Sequence, residues 1–172
     1  MRPILGIYLT HPDCAMPTYG TEGAACFDLR FQPYGKAVVQ CYTDDNVPYN
    51  IELYDTFPEI AIPPGHRALL PSGLIFAIPK DHSIRIHIRS SMAFKLGIGL
   101  ANSEAVIDSD YFHESFILVH NTSTTTVTIK AGERIAQAEL VPNYRDYDIM
   151  ELVEAPKQTT DRVGGLGSTG KV

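Results

Sequence analysis

Asn102-Ser103-Glu104-Ala105-Val106-Ile107-Asp108-Ser109-Asp110-Tyr111 sets a carboxylate and an aromatic ring beside a tight turn, a short way after Arg89-Ser90-Ser91. Those residue types can do nucleotide chemistry. A carboxylate can take a proton from water, a tyrosine ring can press on a sugar, and an arginine with neighbouring hydroxyls can hold phosphate oxygens through charge-assisted hydrogen bonds. Each part alone is common. A lone Asp-x-Asp reads first as solvated turn carboxylates, Arg-Ser-Ser as a surface turn, and a tyrosine as sandwich core. The order in which they occur together is what points to a nucleotide.

Positioning these residues falls to short β-branched or alternating runs set between Gly and Pro. They are Ile4 to Leu9, Ala37 to Tyr42, Ala68 to Leu70, Leu74 to Ile78, Ile84 to Ile88, Phe116 to His120, Thr125 to Ile129 and Arg134 to Val141. Such spacing predicts an all-β sandwich or barrel. Only Ser91 to Leu96 reads as a helical turn. Pro63-Pro64-Gly65 and Ala131-Gly132-Glu133 are turn punctuation ahead of strands. Residues 35–58, with Thr43-Asp44-Asp45-Asn46 and Tyr49-Asn50, are polar and predict a loop excursion between two strands, with a protein partner for it unproven.

A chain of 172 residues with 44% hydrophobic content can bury one core, and residues 1–172 are expected to form a single domain. The net charge of −6 argues against a general nucleic-acid or anionic-membrane binder, since those need a basic field. A phosphate ligand must therefore be met locally, by Arg89, Lys95, Arg134, Arg162 and Lys171, helped by a divalent metal travelling with it. The 3 cysteines, Cys14, Cys26 and Cys41, lack paired spacing, so neither a disulfide framework nor a zinc knuckle is indicated. Met1 to Tyr8 is too short for a signal segment and no apolar run approaches a membrane span, so a soluble, cytoplasmic protein is expected.

Residues 165–172, Gly-Leu-Gly-Ser-Thr-Gly-Lys-Val, nearly spell a phosphate loop, but Val172 stands where a Ser or Thr should meet magnesium. Two readings remain: a disordered glycine tail, or a mobile arm over residues 156–172 that folds onto a bound nucleotide, its glycines letting amides approach phosphate.

With these residues in view, the chain resembles the trimeric dUTP pyrophosphatase (dUTPase) family, whose short motifs have counterparts here in order. They are Ala24 to Leu29, Arg89 to Ala93, Asn102 to Tyr111, Ala131 to Gln137 and Arg162 to Gly170. The resemblance implies a distorted jelly-roll, a β-sandwich barrel with at most one short helix and a flexible C-terminal arm. It implies hydrolysis of dUTP to dUMP and pyrophosphate by attack at the α-phosphorus, with Asp108 as the base. Tyr111 would stack under the deoxyribose and refuse a 2′-hydroxyl; because a regular strand alternates faces, the chain must bulge or bend for Asp108 and Tyr111 to reach one ligand. Asn102, Val106 and Ile107 would read uracil, while Arg89, Ser90, Ser91 and Gln137 would hold the phosphates. Asp28, otherwise a strand-end cap, would hold a Mg2+ ion through water. Arg162, Leu166, Gly167, Ser168 and Thr169 would form the covering arm. The resemblance also implies a homotrimer with shared sites.

Several positions depart from the family pattern: Cys26, Ile88, Ala105, Phe112-His113 and Leu166. Ala105 costs stability if its place in the turn needs positive φ, and His113 follows the turn closely enough to brush a ligand. Two alternatives are weighed. A related dCTP deaminase shares the Arg-Ser-Ser element, but Ile107-Asp108-Ser109-Asp110-Tyr111 favours chemistry at phosphorus. A non-catalytic nucleotide sensor would use the excursion at 35–58 for partner contacts.

Overall fold

The computed structural model describes residues 2–54 and 58–161. Its first strands are β1 (Gly6–Leu9), β2 (Phe27–Arg30), β3 (Val38–Tyr42), β4 (Pro48–Glu52), β5 (Glu59–Ile62), β6 (Arg67–Pro71), β7 (Leu74–Ala77) and β8 (His82–Ile88). The short helix α1 (Ser90–Leu96) follows, then β9 (Ile98–Leu100), β10 (Ala105–Ile107), β11 (Phe116–Asn121), β12 (Val127–Lys130) and β13 (Arg134–Pro142). Their neighbours run β10-β8-β13-β2 in one sheet and β4-β3-β6-β11-β9 in a second, with the pairs β1-β7 and β12-β5 beside them. The expected all-β sandwich is thus observed. The barrel is not: the described strands form separate sheets without closure.

Alternation decides which side of each strand is core. In β11 every second residue, Ile117, Val119 and Asn121, is buried, and β12 buries Val127 and Ile129. The apolar ones, Ile117, Val119, Val127 and Ile129, meet Leu29, Phe31, Leu70, Phe76, Ile84, Ile86 and Ala138 in one core. Period two with an apolar inner face is the stable solution for a sheet that packs on one side. Helix α1 ends after two turns because Gly97 takes a left-handed conformation (φ 66°) and returns its amide to the Ala93 and Met92 carbonyls.

Several elements differ from the reading of the sequence. Within residues 35–58, expected as a loop excursion apart from the strand run Ala37 to Tyr42, that run forms β3 and pairs with both β4 and β6, so the stretch contains a β3–β4 hairpin. Its Val39 and Cys41 are buried, and Tyr49, Ile51 and Leu53 pack partly buried against the same core. The polar β4 is an edge strand, which needs no apolar faces and so carries little signal. Strands β2, β5, β9 and β10 were not read from the sequence either; they are only three or four residues long. Burial pushes the Cys14 and Cys41 thiols up, and all three cysteines are free.

The turn after β9 does not join a hairpin. β9 pairs with β11, whereas β10 pairs with β8, so residues 101–104 carry the chain from one sheet to the other. The left-handed residue of that turn is Ser103 (φ 63°), not Ala105, which lies in β10 opposite Ile86. Ala105 therefore costs no backbone strain. The Ala105→Gly variant should be less stable by about 1 kcal/mol, since it adds chain entropy and removes a buried methyl; urea denaturation that finds it more stable would restore the strained reading.

Gly73 is the opposite case. It has φ +70°, and a Cβ there would lie 2.4 Å from Cys14 Sγ. Gly73→Ala should lose about 1–3 kcal/mol from φ strain and crowding together. Pairing it with Cys14→Ala should recover the crowding part only, which thermal melting of the single and double variants can separate.

Candidate active site

Sheet β10-β8-β13-β2 turns its inner residues, among them Leu29, Ile84, Ile86, Ala136 and Ala138, into the core. Every second residue must then face outward. Asp28 and His87 both lie opposite Gln137, one on each side, so Asp28, Gln137 and His87 form a row across three strands. Two of the three carry expected ligand-binding roles.

Arg134 joins the row through an irregularity. The β13–β2 register shifts between Arg134 and Ala136, so Ile135 and Ala136 are both buried. In a regular strand Arg134 would share the inward face of Ala136 and Ala138. The extra residue re-aims it outward, as bulges do. Its Nη1 then reaches Asp28 Oδ2 at 2.9 Å, while Arg89 Nε sits 3.2 Å from Asp28 Oδ1. Arg89 also donates to the Arg134 carbonyl at 3.1 Å. Asp28, with its side chain only 14% exposed, thereby braces two guanidinium groups side by side.

A cleft of about 400 Å³ opens over this cluster, lined by Arg30, Arg89, Ser91, Met92, Lys95, Leu96, Gly132, Glu133 and Arg134. Four cations face two carboxylates, Asp28 included, which suits a polyanion. Arg89, Lys95 and Arg134 were expected as local cations; Arg30 was not. Its signal was available in Phe27-Asp28-Leu29-Arg30, whose alternation puts Arg30 on the same face as Asp28. Ser90 and Ser91 are exposed in the first turn of α1, where amides lack intrahelical partners.

The second group lies elsewhere. Strand β10 stops at Ile107, and Tyr111 N donates to the Asp108 carbonyl at 3.1 Å, closing a turn over residues 108–111. The bend demanded by strand alternation is therefore present. Asn102, Val106, Asp108 and Tyr111 are all exposed, and Ile107 half-buried. Tyr111 is not a core tyrosine: its hydroxyl donates to the Glu114 carbonyl at 3.0 Å and its ring meets the His113 edge. Asp108 and Val106 line a cleft of about 360 Å³ with Ser83, Arg85, Asn143, Tyr144, Arg145 and Tyr147.

The two clefts share no lining residue. Extending the β10–β8 register past Ile107↔Ile84 sets Asp108 beside Ser83, near one end of β8, whereas Arg89 follows the other end. At roughly 3.3 Å per residue, Ser83 and Arg89 are about 20 Å apart. One chain thus brings Asp28, Arg89, Ser91 and Gln137 together, but keeps Asp108 and Tyr111 away from them. Arg162, Leu166, Gly167, Ser168 and Thr169 lie outside the described residues.

Among the described residues no group of three or more His, Cys, Asp or Glu side chains could hold a metal ion. Asp28 uses one lone pair of each oxygen on a guanidinium, which leaves acceptor capacity for water. No helix among the described residues is long and apolar enough to cross a membrane.

The family model for dUTPase matches residues 49–170. The chain is 36% identical over 167 residues to the deoxyuridine 5′-triphosphate nucleotidohydrolase of Nautilia profundicola, covering 97% of this chain and 99% of that one. It is 35% identical over 155 residues to the enzyme of the same name from Rhizobium etli, covering 90% and 85% of the two chains. Among solved structures, the Staphylococcus bacteriophage 80alpha dUTPase G164S mutant with dUpNHpp superposes with a TM-score of 0.72 at 17% identity, covering 98% of this chain and 99% of its own. The Streptococcus mutans dUTPase gives 0.61 at 24% identity, with 83% and 99% covered. These likenesses identify the sandwich as the jelly-roll type. On the family match and the identity to its relatives, the chain belongs to the dUTPase family.

Proposed function

We propose that the protein hydrolyses dUTP to dUMP and pyrophosphate at sites that each combine residues from neighbouring copies in a homotrimer. Family membership together with the intact Ile107-Asp108-Ser109-Asp110-Tyr111 on an exposed turn carries this reading. Asp108 takes a proton from the water that attacks the α-phosphorus, and Tyr111 packs its ring on the deoxyribose. Asn102 and the Val106–Ile107 backbone meet the acceptor-donor-acceptor edge of uracil; cytosine would leave buried polar groups unpaired, at about 1–3 kcal/mol each.

Arg89, Ser90, the Ser91 amide and Gln137 take the phosphate oxygens, with Ser90 near the bond that breaks. Asp28 and the Arg134 carbonyl hold the Arg89 guanidinium through Nε and Nη1, so that its position is set before the ligand arrives. Asp28 would hold a magnesium ion through water, and that ion would supply neutralisation of charge on the departing pyrophosphate. In the tail, Arg162, Ser168 and Thr169 add donors, and Leu166 covers uracil by burial without stacking, next to Gly167. Closure by that arm excludes water and orients the triphosphate.

The separation of about 20 Å estimated along β8 supports a site completed by a second copy. A triphosphate held at Arg89 does not bring its α-phosphorus to Asp108 of the same chain. The exposure of Val106, Asp108 and Tyr111 is what a surface awaiting another subunit would show.

Purified protein with magnesium should release pyrophosphate from dUTP and not from dCTP, dTTP or UTP, and Asp108→Asn should abolish that release. Failure with every nucleotide would move the weight to a binding protein. Mixing Asp108→Asn with Arg89→Ala under conditions that exchange subunits should restore activity at about a quarter of the sites, as random assembly of shared sites requires; no recovery in verified mixed oligomers would place the whole site in one chain. Deleting residues 162–172 should lower turnover, and unchanged turnover would remove the arm from the mechanism.

A further inference from the structure

Glu114 is the charged side chain that the described part of the chain takes into its interior, at 9% exposure. Its two carboxylate oxygens have separate partners. Oε1 accepts from the Gly73 amide at 3.0 Å, and Oε2 forms an ion pair with Lys36, which lies just ahead of β3. The next residue is tied to the same turn. Ser115 donates its amide to the Leu74 carbonyl at 2.9 Å and accepts from Ser72 N at 3.2 Å and Ser72 Oγ at 2.5 Å. The chain at 114–115 is thus stapled to the β6–β7 connection and, through Lys36, to the base of the β3–β4 hairpin.

That staple bears on Tyr111. The ring is held at its backbone end by the 108–111 turn and at its hydroxyl end by the Glu114 carbonyl. The ring is 37% exposed and meets the His113 edge, so the tethers at its two ends supply much of what limits its tilt. The position of the Glu114 backbone therefore sets the tilt of the ring.

Resting on the reading of Tyr111 as the surface under the deoxyribose, we propose that the buried Lys36–Glu114 pair is a positioning device for discrimination against ribonucleotides. Glu114 fixes the carbonyl on which Tyr111 hangs. A fixed ring leaves no room for a 2′-hydroxyl; a ring free to shift by about an ångström accommodates one. Neither Lys36 nor Glu114 touches the nucleotide. The arrangement also makes the β3–β4 hairpin part of the selectivity apparatus.

Glu114→Gln is the gentler disruption, because Gln still accepts from Gly73 N, and Lys36, at 34% exposure, can turn to water. The ratio of kcat/KM for dUTP over UTP should fall roughly tenfold in Glu114→Gln and in Tyr111→Phe, and the double variant should fall no further than either. Lys36→Arg, which keeps the charge, should retain most of the ratio. Glu114→Gln that melts lower but keeps the wild-type ratio, or effects that multiply in the double variant, would overturn the inference. If Glu114→Gln does not fold, Tyr111→Phe decides alone, an unchanged ratio sinking the proposal. A wild-type protein that does not hydrolyse dUTP, or that accepts UTP equally, would instead overturn the reading of Tyr111 beneath it.

Discussion

The pleat of the β10-β8-β13-β2 sheet does two things at once. Burying Leu29, Ile84, Ile86, Ala136 and Ala138 leaves Asp28, Gln137, Arg85 and His87 no direction but outward. The same apolar contacts that hold the sandwich together therefore set the spacing of the polar row, and a one-residue slip would bury the charges and expose the core. Register here is under the control of hydrophobic burial, the largest favourable contribution to folding. The polar groups inherit their places from it.

Where the pleat would misplace a residue, the fold breaks its own regularity. The bulge at Arg134 turns a side chain destined for the core toward Asp28, and the turn at 108–111 frees Tyr111 from the alternation of β10. Asp28 then holds Arg89 and Arg134 together against their mutual repulsion, a repulsion that the phosphates of a nucleotide would also relieve. The two irregularities lie in different clefts of the same chain.

The Lys36–Glu114 pair shows how a segment distant in sequence is drawn into the site. A carboxylate taken out of water is costly unless every acceptor is used, and here Gly73, Lys36 and the close approach to Cys14 leave the turn a single geometry. What reads as an excursion between strands is tied through Lys36 to Glu114, whose carbonyl accepts from the Tyr111 hydroxyl.

From the sequence alone come the strand class, the one short helical turn and the residue types of the site. Alternation in segments such as Phe116–Asn121 is a local property, and Ile107-Asp108-Ser109-Asp110-Tyr111 keeps its meaning wherever it lies. The polar edge strand β4 and the three-residue β9 and β10 are silent in it, since pairing with distant strands, not their own composition, makes them strands. Tertiary structure alone decided that Asp28 pairs with both Arg89 and Arg134, that Ser103 and not Ala105 takes the left-handed turn, and that Asp108 stands apart from Arg89. Each of these depends on register between strands far apart along the chain, and register is a property of the packed sheets.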